Sequence, residues 1–216
     1  VQSPMAMSGL IYDKEATLRK LGKFITVMLT VLVAAHLSLT YFAKEIVLAF
    51  ANKKYFHAYK VIGIIGTIYV FGGLQRPIAD IISFHKKTWV LSSGVFISAF
   101  LNLGLNVIFV PYYGYFASAF VTCISTLFYV IWLYFWVFKF EKIHLEVYKS
   151  LTITFIYVLA LVIYYTIFFD KAGITIFLFK TLFFILNLIL LYILIIKWFA
   201  KDKEYNPIHI IKKIVS

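Results

Sequence analysis

The sequence predicts an all-α, polytopic membrane protein with six transmembrane helices, and three observations carry that prediction. Apolar residues make up 63% of the 216-residue chain and charged residues only 14%, with a mean hydropathy of +0.93. A water-soluble domain of this length needs far more polar surface. Six apolar stretches, residues 22–43, 61–83, 88–110, 115–138, 151–169 and 174–198, each approach the ~20 residues that a helix needs to cross about 30 Å of hydrocarbon. Finally, the stretches are continuously apolar, whereas barrel strands alternate apolar and polar residues over ~10 positions. A backbone in lipid must satisfy its own hydrogen bonds, so helices follow.

The net charge of +12 would suit a nucleic-acid partner, but its distribution reads as topology. If the first helix starts in the cytoplasm, 14 of the 21 basic residues fall inside, from Lys14, Arg19, Lys20 and Lys23 through Lys86, Lys87 and Lys139 to the tail. The outside set is Lys44, Lys53, Lys54, Lys60, Lys171 and Lys180, with Arg76 inside a span. This bias places both ends of the chain in the cytoplasm of a multi-pass cytoplasmic-membrane protein. Trp89, Trp132, Trp136 and Trp198 cluster toward predicted inner ends and Tyr41, Tyr112, Tyr113, Tyr164 and Tyr165 toward outer ends, where amphipathic rings meet headgroups. Cys123 is the single cysteine and reads as a small packing residue.

The elements follow in order. Residues 1–21 read as the end of a preceding helix and a cytoplasmic linker, whose amphipathic part is Asp13 to Lys20. The chain starts with Val1, without the basic start or apolar core of a signal peptide, and reads as a fragment. Residues 22–138 hold four spans. After the first, Glu45 to Phe50 form a short interfacial helix. The second carries Gly63, Gly66, Gly72, Gly73 and Pro77; proline removes a backbone donor, so a kink is expected near Gly73–Pro77. Gly72, Gly73 and Pro77 are thus a candidate hinge, the alternative being that the glycines only allow close packing. The third and fourth spans flank the turn Pro111-Tyr112-Tyr113-Gly114. Residues 139–200 add two peripheral spans, poor in small and polar residues, and residues 201–216 form a basic cytoplasmic tail.

Enzyme signatures do not emerge. His36, His57, His85, His144 and His209 lack metal-ligand spacing, no P-loop is present, and Asp80 is the sole acid within a predicted span. The expectation is a non-enzyme without cofactor, coupled if at all to an ion gradient. Arg76 and Asp80, one helical turn apart, are either a local ion pair or a site where guanidinium meets a diphosphate. Gly94, Ser98, Asn102 and Asn106 form a polar stripe matched by Gly114, Ser118 and Thr122 on the next span; it is either a packing seam or a cavity wall that accepts sugar hydroxyls. His36 is either a satisfied interior histidine or a protonation switch. Arg76, Ser98, Asn102 and Asn106 are the substrate-binding candidates.

The run Asn102-x-x-x-Asn106, then Val110-Pro111-x-Tyr113-Gly114, Ala117-Ser118 and Thr122-x-x-Ser125 resembles the polysaccharide and O-antigen flippases of the multidrug/oligosaccharidyl-lipid/polysaccharide exporter superfamily. The Leu18-Arg19-Lys20 segment before the first span is similar too, and the resemblance covers residues 17–138. It implies that the six helices form most of the C-terminal lobe of a MATE-like two-lobe transporter, the last pair matching the extra pair of longer members. The implied activity is translocation of an undecaprenyl-diphosphate-linked oligosaccharide by alternating access. The implied partners are that lipid-linked oligosaccharide, the bilayer and other polysaccharide-assembly membrane proteins, with no nucleic acid. A multidrug or ion antiporter of the same superfamily should show ionisable residues deep in its cavities, and a membrane enzyme of glycan assembly should show a sizeable polar loop. A lipid II flippase is a nearer relative, but its several cavity arginines have no counterpart here beyond Arg76.

Overall fold

A computed structural model describes residues 13–140, 147–169, 171 and 173–199. Every regular element among them is helical. In order these are α1 (Lys14–Tyr41), α2 (Ala43–Phe50), a 3-10 turn (Lys53–Ala58), α3 (Tyr59–Phe84), α4 (Thr88–Tyr113), α5 (Tyr115–Phe140), α6 (Val147–Ile163) running on as a π-helical turn (Tyr164–Phe168), and α7 (Ile174–Phe199). Six helical segments are long and apolar enough to cross a membrane, so the chain is an all-α, multi-pass membrane protein. The end of a preceding helix expected over residues 1–12, the middle of the charged loop (141–146) and the basic tail (201–216) lie outside the described residues.

Two local expectations change. The segment Asp13 to Lys20 is not a separate linker but the start of α1. Asp13 caps it, accepting the Ala16 N–H at 3.1 Å, and Glu15 sits in the first turn where the helix dipole favours an acid. Leu18, Gly22, Ile25 and Leu29 then bury one continuous stripe across the supposed boundary. Likewise, the four-residue turn after the third span contracts to one residue. α4 runs through Pro111 to Tyr113 and stops at Gly114 (φ 60°, ψ −144°), whose N–H donates to Val110 O at 2.8 Å. Proline there costs only one hydrogen bond in a final turn, whereas Gly114 adopts a positive-φ conformation that residues with a Cβ rarely take, although the space around it is open.

The chain divides into two compact units, 1–150 and 151–216. In the first, α1 packs on α3, α3 on α5 and α5 on α4. α5 thus lies between α3 and α4, which are neighbours in sequence but touch little. The core at one end joins Leu18 and Ile25 of α1, Ile78, Ile81 and Ile82 of α3, Val90 of α4, and Leu133 and Val137 of α5. Glycines set the approach. A Cβ on Gly66 would collide with the His36 ring, one on Gly73 with Leu32, and one on Gly94 with Trp132 and Tyr129. Gly72 differs, because a Cβ there would meet nothing within 4 Å.

In the second unit, Ile153, Tyr157, Ala160 and Tyr164 form a buried stripe along α6 and its π-helical turn. Lys180, counted above with the outside charges, lies within α7 and is wholly buried. Its ammonium is 5.9 Å from the centre of the Tyr164 ring, a distance at which a cation is attracted to the aromatic face.

Gly66→Ala is expected to destabilise the first unit by about 1–3 kcal/mol, the usual cost of overpacking a tight contact. Gly72→Ala should be neutral or stabilising by up to about 1 kcal/mol, since alanine is the better helix former. Thermal unfolding of the detergent-solubilised chain measures both, and the reverse ranking would contradict this α1–α3 register.

Candidate functional site

Short polar residues at four-residue intervals share one helix face, and α4 and α5 turn such faces toward each other. The Ser98 hydroxyl donates to the Ser125 carbonyl at 2.7 Å, and Asn102 Nδ2 reaches the Thr122 hydroxyl at 3.4 Å. Within α5, Thr122, Ser125 and Thr126 each donate to the carbonyl one turn back, on Ser118, Val121 and Thr122, at 2.8 Å. Trp132 Nε1 crosses to Val90 O at 3.0 Å and pins the start of α4.

The same residues border a widely open cavity of ≈ 500 Å³ between α3, α4 and α5, walled by Gln75, Ser98, Asn102, Thr122, Ser125, Thr126 and Tyr129 and by the apolar Val95 and Ala99. The stripe is therefore seam and wall at once. No lining residue carries a charge. Hydroxyls and carboxamides offer donors and acceptors together, and Tyr129 adds an aromatic ring. Such a surface can hold a neutral, hydroxyl-rich ligand by many weak hydrogen bonds. Asn106 stands apart: its Nδ2 turns back onto Asn102 O and Oδ1, both at 2.9 Å, and it is not a wall residue.

Arg76 does not line the cavity either, although its neighbour Gln75 does. Arg76 Nε lies 3.7 Å from Asp80 Oδ1, with the arginine side chain 64% exposed and the aspartate 15%. Charge drew attention to Arg76. The signal for Gln75 was quieter, being the one carboxamide in the span 61–83. Thr126 and Tyr129, also overlooked, lie one and two turns beyond Thr122 on α5.

His36 sits at the α1–α3 seam, buried, and does not border the cavity. Its Nε2 is 2.8 Å from Gly63 O and 3.0 Å from the Thr40 hydroxyl. A carbonyl only accepts, so Nε2 carries the proton in this bond. Gly63 O also accepts from the Thr67 hydroxyl at 2.9 Å. Pro77 is buried inside an unbroken α3, where its missing N–H withholds the helical partner of the Gly73 carbonyl. Among the described residues no three His, Cys, Asp or Glu side chains group to hold a metal ion.

No family model and no curated protein sequence matches the chain. Its fold is similar to that of a solved structure, the lipid II flippase MurJ in an inward closed conformation, with a TM-score of 0.67 and 20% sequence identity. The match covers 93% of this chain and 43% of the MurJ chain, so the chain spans less than half the length of that protein. At this identity the likeness is one of fold: the chain is built like part of that polytopic, all-helical protein.

Proposed function

We propose that the chain is part of a flippase that carries an undecaprenyl-diphosphate-linked oligosaccharide across the cytoplasmic membrane for polysaccharide or O-antigen assembly. The observation that carries this reading is the uncharged, hydroxyl- and amide-lined cavity between α3, α4 and α5, set in a fold similar to that of a lipid flippase. Sugar hydroxyls suit such a wall. A multidrug or ion antiporter would call for ionisable groups there, and none lines it. Arg76, beside Gln75 on α3, is the residue offered to the diphosphate, because guanidinium matches phosphate geometry. Transport would proceed by alternating access, with α3 bending at Gly72–Pro77, where one helical hydrogen bond is missing and the space beside Gly72 is open. An ion gradient would supply any energy needed.

Deleting the full-length gene in its host tests the reading directly. Surface glycan should disappear while the complete lipid-linked unit accumulates on the cytoplasmic leaflet. Truncated units would point instead to an assembly enzyme, and normal glycan with altered drug or ion sensitivity to an antiporter.

Asn102→Leu fills the cavity wall and removes its hydrogen-bonding groups; complementation of the deletion should fall by about tenfold or more, as expected for losing about 1.5–3 kcal/mol of polar contact, with membrane abundance unchanged. Arg76→Ala should lower complementation by roughly tenfold to a hundredfold, and Arg76→Lys should recover only part of it, since lysine supplies charge without the bidentate fork. Equal activity of the alanine variant and the parent would remove Arg76 from the headgroup role.

A further inference from the structure

A second cluster, unrelated to the cavity, lies at the opposite end of α3 from Lys44, Lys54 and Lys60. The turn joining α3 to α4 is short and hydrogen-bonded, with His85 N–H on Ile81 O at 3.1 Å, Lys86 N–H on Ser83 O at 2.9 Å and Lys87 N–H on Ile82 O at 3.1 Å. Lys86 adopts φ 55°, a conformation for which glycine is the default residue. The turn thus presents two adjacent exposed lysines on a fixed backbone.

An aromatic surface continues from it. His85 meets Phe140 with ring centroids 6.3 Å apart, and Trp89 meets Trp136 edge-on at 4.8 Å. The exposed Lys139 places its ammonium 4.7 Å from the Trp136 ring centre and 4.4 Å from that of Phe135. Described acids at this end are engaged elsewhere. Asp13 caps α1, Glu15 lies 3.9 Å from Arg19, and Asp80 lies 3.7 Å from Arg76. Among the described residues Lys86, Lys87 and Lys139 therefore have no carboxylate partner.

We propose that Lys86, Lys87, Trp89, Trp136 and Lys139 form a binding site for the headgroup of an anionic phospholipid. Three exposed lysines at this one end of α3, α4 and α5 supply charge complementary to a phosphodiester. The half-exposed Trp89 indole, edge-on to Trp136, supplies the amphipathic surface that sits at headgroup level, and basic clusters at the ends of transmembrane helices are the kind of site that holds anionic headgroups. The first-turn N–H groups of α4, which begins at this turn, add positive potential on the same side.

The test is native mass spectrometry of the detergent-purified full chain equilibrated with equal amounts of phosphatidylglycerol and phosphatidylcholine. The parent should retain phosphatidylglycerol preferentially, and the variant K86A/K87A/K139A should lose affinity by roughly fivefold per lysine removed. The variant K44A/K54A/K60A, which removes the same charge from the other end, should keep the preference, and so should K86R/K87R/K139R. Equal loss in both alanine variants would reduce the effect to net charge and overturn the site. Absence of any preference in the parent, or loss of it in the arginine variant, would overturn it as well.

Discussion

Helices in hydrocarbon gain nothing by hiding apolar side chains from one another, because the lipid tails are as apolar as leucine. This bundle is held instead by close approach and by the few polar groups that find a partner across a helix pair. Gly66, Gly73 and Gly94 supply the approach, with the His36 ring, Leu32 and Trp132 occupying the space a Cβ would need. His36 and Trp132 supply the polar links, each placing a ring nitrogen at a backbone carbonyl of the adjacent helix, Gly63 O and Val90 O. A carbonyl has two lone pairs, so Val90 O can accept such a bond while keeping a helical one, whereas Gly63 O is shared further because the Thr67 hydroxyl also donates to it. Each link contributes an amount on the order of 1 kcal/mol.

The cavity follows from the order of packing. Inserting α5 between α3 and α4 holds two sequence neighbours apart, and the small side chains of α4 and α5 leave the resulting space unfilled. The hydroxyls of Thr122, Ser125 and Thr126 bond back to their own helix, so the wall is satisfied when empty yet keeps oxygen lone pairs to offer. A wall of this kind holds a polar ligand by many contacts, none of them strong. On the proposed function, that suits a protein which must release what it binds, as sites on a conduction path require.

The six spans were legible because hydropathy reports the membrane directly. The start of α1 was not, since Lys14, Arg19 and Lys20 mark the edge of the apolar run but not the end of the helix; the cap at Asp13 carried that information. Pro111 was read as a turn former because proline is common in turns, yet in a final helical turn it is tolerated, and only Gly114 breaks the helix. Ser98 and Asn102 could be read from spacing along one helix. Gln75 could not, because its place on the wall depends on α3 pairing with α5 rather than with α4, and no local pattern records that choice. Lys180 shows the same limit: near the end of a span it resembles a snorkelling lysine, and only the fold brings it to Tyr164.

On the proposed reading, the separation of charge from the cavity is itself informative. A lone arginine at membrane depth costs ~2.5–3.5 kcal/mol on insertion scales, and Asp80 offsets part of that cost at Arg76. The pair is loose, at 3.7 Å, so an arriving diphosphate can replace the carboxylate as partner without breaking a strong bond. Exchange of one anion for another keeps the guanidinium paired throughout. The neutral wall then receives the hydroxyls of the saccharide. An amphipathic, anionic substrate is thereby met by two surfaces on α3, one at Gln75 and one at Arg76, a single residue apart but facing different surroundings.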